Sequence, residues 1–450
     1  MASIKKIEGQ RGTSYKITVS AGYDFKGKKI RKTATFTPDP QKTYLQNQAA
    51  LKDFAYEFEK AVKTGQYYDG ESITLAQFGK KWFKDYAEQQ LEPKTVTSYR
   101  HCYESYILPY LGHLKIAQIR PMQIIELWIK LQTENVRKDG KPGGLGAATI
   151  HRCHAVLSKI FTCAQQWQVV PENPCRNVST PPNSKSERDN YFTPEQAIIF
   201  LEMLDRGYNV TYSPRTRKDS NGNEYTVSGY QERKHVPLQY KVFYNIALFG
   251  GLRCGELLGL TWDCINFDQN TISVTRSISY TNHVTYVKTT KTKASQRIIT
   301  LPDSVMALIS QLWEEQKNTA KNLGTYWNNP DGNLFTQDNG ARMFYSTPYS
   351  KFKALLKHHN EFVKNSNDLT EDEKESLLLP DITLHGLRHT SATLLIAQNL
   401  DVRTVSARLG HAQTSTTMNI YAHALKAQDE KASTALENIL KPNTKEPISI

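Results

Sequence analysis

The spacing of apolar residues changes along this chain, and each spacing fits one kind of element. Tyr15, Ile17 and Val19 alternate with polar neighbours, the turn FKGKK follows, and Ile30, Lys32, Ala34 and Phe36 resume the alternation. A period of two around a glycine-containing turn predicts a small antiparallel sheet. Leu51, Phe54, Phe58 and Val62 then fall at helical spacing, so a helix should pack on that sheet. From about Ile73 the period is helical throughout. Leu75, Phe78, Trp82, Phe83 and Tyr86 form one stripe, and helices are also predicted over 95–108, 121–131 and 147–168. Pro93 and Pro121 stand near helix starts, where a missing N–H is tolerated.

Two polar stretches, TGQYYDGES and STPPNSKSERDN, separate these blocks. The 450 residues thus divide into a basic region (1–65), a helical block (73–178), a larger third region (190–440) and a tail (441–450). The third region opens with Thr193-Pro194-Glu195, an N-cap followed by proline at the first helical position. Residues 271–301 alternate with β-branched residues and should form a short sheet. Residues 207–237 are rich in turn formers with little apolar period, and read as an insertion, either a loop or a hairpin. Residues 358–381, with the acidic run DLTEDEKE, read as a second insertion. The expected fold class is mixed α+β and multidomain: a small N-terminal three-stranded β-sheet plus helix, an all-α domain, and a mainly α domain with a small β-sheet.

A formal charge of +13 points to a polyanionic partner, nucleic acid before others. The first 42 residues hold ten Lys or Arg against three acids, which concentrates that charge on the predicted sheet. No apolar segment follows MASIKKIEGQRG, and no run of 18 apolar residues occurs, so neither secretion nor membrane spanning is expected. The six cysteines form no C-x-x-C pair, which disfavours a zinc knuckle and fits a reducing cytoplasm.

The chemistry-bearing residues stand in a fixed order. Arg253 lies in GGLRCGELLGLTW, Lys291 in KTTKTKASQR, His385 and Arg388 in HGLRHTSATLL, His411 in LGHAQTSTTM and Tyr421 in NIYAHAL. A phosphate in transit carries charge on its non-bridging oxygens, and a guanidinium fork can hold two of them. A tyrosine hydroxyl can form a covalent intermediate that stores bond energy for rejoining. Taken singly, each residue has a plainer reading: a solvated arginine, a core tyrosine, a helix face with histidine and arginine three apart. His385 and His389 could also share a helix face as metal ligands, but Gly386 stands where a zinc protease needs glutamate and no third ligand is evident. No G-x-x-x-x-G-K-[ST] loop is present. Neither a metal nor another cofactor is therefore expected.

Taken together, GLRCGELLGL, the K-T-x-x-S-x-R signature, H-G-L-R-H, L-G-H and a tyrosine ten residues later resemble the tyrosine recombinases, the phage integrase family. Among its members, integrases of conjugative transposons and lambda-type phages are most similar. The resemblance implies Arg253, Lys291, His385, Arg388, His411 and Tyr421 as the catalytic set, Tyr421 as nucleophile, and Glu256 as the acid that orients the site. Among Lys288, Lys291 and Lys293, the signature selects Lys291. It also implies an arm-type DNA-binding domain (1–65), a core-binding domain (73–178) and a catalytic domain (190–440). Lys28, Lys29 and Arg31 in the first, against the plainer reading of a solvated charge run, and Lys81, Lys84, Lys94 and Arg100 in the second, against that of a wet helix face, become DNA-contact candidates. The implied partners are double-stranded DNA at core and arm sites, three further copies in a homotetramer, an excisionase and a DNA-bending protein. The C-terminal helix ALKAQDEKASTALENIL could pack on a neighbouring copy or on its own domain. Rival readings are a chromosome-dimer resolvase, a type IB topoisomerase and a catalytically silent DNA-binding regulator. Chain length and the basic N-terminal sheet speak against the resolvase, that sheet and HGLRHTSATLL against the topoisomerase, and the complete residue set against the regulator.

Overall fold

The computed structural model describes residues 2–9, 12–23, 27–63, 73–133, 135–182, 190–289 and 296–410. The chain divides into two compact units, Met1–Ser186 and Glu187–Ile450.

The first unit begins with an antiparallel sheet of β1 (Ser3–Gly9), β2 (Gly12–Tyr23) and β3 (Lys29–Phe36), in that order. The register sets Ile17 opposite Ile4 and Ala34, so Tyr15, Ile17, Val19, Ala34 and Phe36 share one face. The helix Tyr44–Lys63 covers that face with Leu51, Ala55 and Phe58. Phe54 differs from expectation. It is 39% exposed at the stripe's edge beside Phe36, because the seam runs 51, 55, 58 rather than through 54.

The helices of this unit enclose a separate apolar cluster. Leu75–Trp82 is opened by a capping box between Thr74 and Gln77 and continues as a π-helical turn over Phe83–Ala87. Pro93–Cys102 likewise continues as a π-helical turn over Tyr103–Ile107, so the element predicted from residue 95 starts at Pro93. Each wide turn begins at the second of two consecutive buried residues, Trp82–Phe83 and Cys102–Tyr103. An α-helix turns about 100° per residue, and the extra residue of a π turn restores the inward phase. Pro121–Thr133 and Ala147–Gln166 complete the block.

In the second unit, Pro194–Arg206 carries the expected cap, with Thr193 accepting from the Gln196 amide. Residues 207–237 form a folded arm rather than an open loop: β4 (Tyr208–Tyr212) pairs with β7 (Tyr230–Lys234), and β5 (Arg215–Lys218) with β6 (Glu224–Val227). The outer pair is exposed on both faces, so no apolar period marked it. After the helices Leu238–Gly250 and Cys254–Leu257, residues 265–300 make two small sheets where one was expected. β8 (Ile265–Asn266), β9 (Thr271–Val274) and β12 (Arg297–Thr300) form one, and β10 (Arg276–Thr281) with β11 (Val284–Thr289) the other. Asn282 and His283, both at positive φ, close the β10–β11 hairpin. The second expected insertion resolves into the end of Thr347–Asn365 and a capped helix, Glu371–Leu377. Leu384–Ala397 and Val402–Leu409 follow and share a small apolar cluster of Ala392, Ile396, Val405 and Leu409. No helix among the described residues is long and apolar enough to cross a membrane.

Candidate active site

The site is built on the turn that ends Leu238–Gly250. Gly251 caps that helix in the left-handed conformation (φ 62°), and a Cβ there would run into Leu409. Two residues on, Arg253 adopts extended backbone and starts Cys254–Leu257. Its amide donates to Glu256 Oε2 (2.9 Å) and its Nη1 to Glu256 Oε1 (2.8 Å). Glu256 is 4% exposed. A second guanidinium, that of Arg297 at the start of β12, reaches the same carboxylate at 2.8 Å (Nη2–Oε2) and 3.4 Å (Nη1–Oε1). Burial pushes the Glu256 carboxyl upward, but the Arg297 bond and charge, with those of Arg253, outweigh it and hold it below the usual carboxylate range.

Leu384–Ala397 supplies His385 and Arg388. Thr390 on this helix ties it to Phe192, whose amide donates to the threonine hydroxyl at 2.9 Å. Arg388 is 1% exposed and donates Nη1 to the Gly251 carbonyl at 2.7 Å, so it holds the turn that carries Arg253. His385 keeps a solvent-open side and meets His389 edge to face, with ring centroids 4.7 Å apart. Desolvation by the packed remainder of its surroundings, then the charges of His389, Arg388 and Arg253, lower its pKa to about 4. The shift favours the neutral, proton-accepting form of the ring. The chain then passes through Val402–Leu409, where the Arg408 carbonyl accepts from Arg297 Nε (2.7 Å) and the Gly410 carbonyl from Arg253 Nη2 (3.2 Å).

Of the residues expected from sequence, the structure gathers Arg253, Glu256, His385 and Arg388. Lys291, His411 and Tyr421 lie outside the described residues. Lys81, Lys84 and Lys94 are exposed on the helical block, as are Lys28, Lys29 and Arg31 at the β2–β3 end. Arg100 is differently engaged: it pairs with Glu88 (2.7 Å) and Glu104 (3.4 Å) and lies over the Phe83 ring. Sequence reasoning missed Arg297. It appeared only as the last letter of K-T-x-x-S-x-R, and that letter was the available signal. Among the described residues no group of three or more His, Cys, Asp or Glu could hold a metal ion.

This arrangement has relatives. The sequence model of the Phage integrase family matches residues 227–428, and that of the Phage integrase, N-terminal SAM-like domain matches 74–131. The ICEBs1 integrase of Bacillus subtilis (strain 168) is 25% identical over 442 residues, covering 97% of this chain and 100% of the relative. The transposase from transposon Tn916 of Enterococcus faecalis is 27% identical over 389 residues, 83% of this chain and 80% of the relative. In fold, the chain is similar to the Tn1549 transposon integrase solved in complex with transposon right end DNA. That match has a TM-score of 0.58 at 20% identity and covers 80% of this chain and 100% of the other. With one family match in each compact unit, and a guanidinium–carboxylate core on the segments that carry its motifs, the chain belongs to the phage integrase family of tyrosine recombinases.

Proposed function

We propose that this protein is a site-specific recombinase that cuts and rejoins double-stranded DNA to integrate or excise a mobile element. The observation that carries the reading is the Arg253–Glu256 pair, fixed beside Arg388, with His385 on the same helix as Arg388. Arg253, with a side chain 40% exposed, faces the scissile phosphate, and Arg388 acts from the floor of the site. Both guanidinia stabilise charge on the non-bridging oxygens, which grows as phosphorus becomes five-coordinate. His411 adds a further donor to those oxygens. Tyr421 Oη attacks phosphorus in line, His385 takes its proton, and the P–O5′ bond breaks. Lys291 protonates the leaving O5′, giving a 3′-phosphotyrosyl link and a free 5′ hydroxyl. A 5′ hydroxyl from another strand reverses the step, so no hydrolytic water is needed. Four such sites exchange strands through a Holliday junction in a homotetramer.

In this reading residues 1–65 bind arm sites, 73–178 and 190–440 each contact the core site, and 441–450 form a tail. Excisionase and DNA-bending proteins set direction, and the protein works in the cytoplasm of a bacterial host. Tyr421→Phe keeps the ring and removes the hydroxyl, so DNA binding should survive while the covalent complex disappears. A nicked suicide duplex and a denaturing gel test this. A shifted covalent band from the Phe variant would overturn the assignment.

A further inference from the structure

We infer that Arg297 is a positioning residue of the active site. Through Glu256 and the Arg408 carbonyl, it fixes Arg253 and the backbone leading into His411 as one piece. The inference rests on the recombinase reading above. Glu256 is held from four sides: Oε1 accepts from Nη1 of both arginines, and Oε2 from the Arg253 amide and Arg297 Nη2. Its rotamer is therefore over-determined, and so is the guanidinium of Arg253 that leans on it. The two arginines share one carboxylate, which leaves one positive charge uncompensated. The Arg297 side chain is 7% exposed and that of Arg253 40%, so the surplus charge is offered outward at Arg253.

The third bond of Arg297 does something the ion pair does not require. Nε donates to the Arg408 carbonyl at 2.7 Å, in the last turn of Val402–Leu409. Gly410 then turns the chain at φ 69°, and a Cβ there would sit 2.8 Å from Arg297 Nη1. The backbone thus passes against the guanidinium, and the next residue is His411. Arg297 also opens β12, six residues after Lys291. Only a planar fork can address the carboxylate and the carbonyl together; a lysine ammonium keeps the charge but not the span.

Single-turnover cleavage of a nicked suicide duplex tests this in the full-length protein. Arg297→Lys should keep DNA affinity within about threefold while covalent-complex formation falls roughly 10²-fold, the scale of a small misplacement of catalytic groups. If Arg297 only neutralises buried Glu256, then Arg297→Met should cost nothing further in a Glu256→Gln background. A further loss of at least about tenfold is expected instead, because the Arg408 carbonyl also loses its donor. In a His411→Ala background, Arg297→Lys should cost clearly less than in the wild type, since the part of its effect exerted through that residue is already lost. The inference is overturned by Arg297→Lys cleaving within about threefold of wild type, by no further loss beside Glu256→Gln, or by an undiminished loss beside His411→Ala. If Arg297→Lys proves too unstable to assay, the Glu256→Gln pair, in which both buried charges are gone, decides alone. Wild-type protein that forms no covalent complex overturns the recombinase reading itself, a result separable from all of these.

Discussion

Glu256 occupies a position where a carboxylate without partners would be expelled or protonated. Its pKa is lowered on folding, so its contribution to stability is complete above the unfolded value of 4.5 and is lost as pH falls through the lower folded value. His385 has the opposite charge type but the same direction of shift. Its folded pKa of about 4 lies below the ordinary 6.5, so between those limits the unfolded chain binds a proton the native site refuses. Acid should therefore weaken the second unit first through His385 and then through Glu256. The His385 ring resonance in the free protein should titrate near pH 4. Because the Glu256 charge raises that value, Glu256→Gln should move the midpoint lower; a midpoint at 6.5 in wild type, or an upward move, would contradict the site's electrostatics. Lys291 carries a different test. Replacing a general acid costs about 10² to 10⁴ in rate. A 5′-bridging phosphorothiolate needs no proton on leaving, so it should rescue Lys291→Ala; rescue of Lys288→Ala instead would shift the assignment along the strand. At this scale Arg253, His385 and Arg388 were legible because their order is distinctive. Arg297 was not, since its partner Glu256 lies 41 residues away and pairing leaves no local mark.

Elements were legible where burial is one-sided. The sheet face at Ile17, the cap at Thr193 and the helix start at Pro121 follow from period and capping chemistry alone. The two π-helical turns were hidden, because the stripe through Leu75, Phe78, Trp82, Phe83 and Tyr86 and the segment 95–108 both read as ordinary α-helix. The arm at 207–237 was half-hidden for the converse reason, a two-stranded ribbon with no buried side in its outer half. The turn at Gly251 bears the sharpest prediction at this scale. Its φ of 62° and the Leu409 side chain beside it leave no room for a Cβ. Gly251→Ala should cost about 1–2 kcal/mol from the left-handed backbone alone, with the clash adding to that. For a unit of this size the melting temperature should drop by roughly 2–8 °C. Cleavage should fall as well, since Arg388 grips the Gly251 carbonyl and Arg253 follows two residues later. An Ala variant with unchanged melting and unchanged cleavage would show that this turn does not set the site.

Across the whole molecule, the polar stretch 179–190 spans the boundary between the two compact units, whereas the stretch of DNA each part meets leaves no mark in the chain's own periodicity. The N-terminal sheet has its own apolar cluster, separate from that of the helical block, so its removal leaves the helices' core intact. Alternation places Lys5, Lys16 and Arg31 on the sheet face opposite the one covered by Tyr44–Lys63. A sheet face with exposed basic side chains suits the phosphates and groove of a duplex. Deleting residues 1–65 should therefore leave cleavage of a core-site suicide duplex largely intact and abolish recombination that depends on flanking arm sites. Each cation that no longer meets a phosphate should flatten the log–log salt dependence of binding to arm DNA by about 0.9. Substituting Lys5, Lys16 and Arg31 by alanine together should thus reduce the slope by up to about 2.7 if all three meet phosphates. The face also carries Ile7 and threonines, which can meet base edges, so protection should follow sequence and not duplex length. Footprints of the full chain and of the triple variant on DNA flanking the core site decide between these. Uniform protection of any duplex, weakened equally everywhere in the variant, would reduce the sheet to a non-specific clamp and end the arm-site reading.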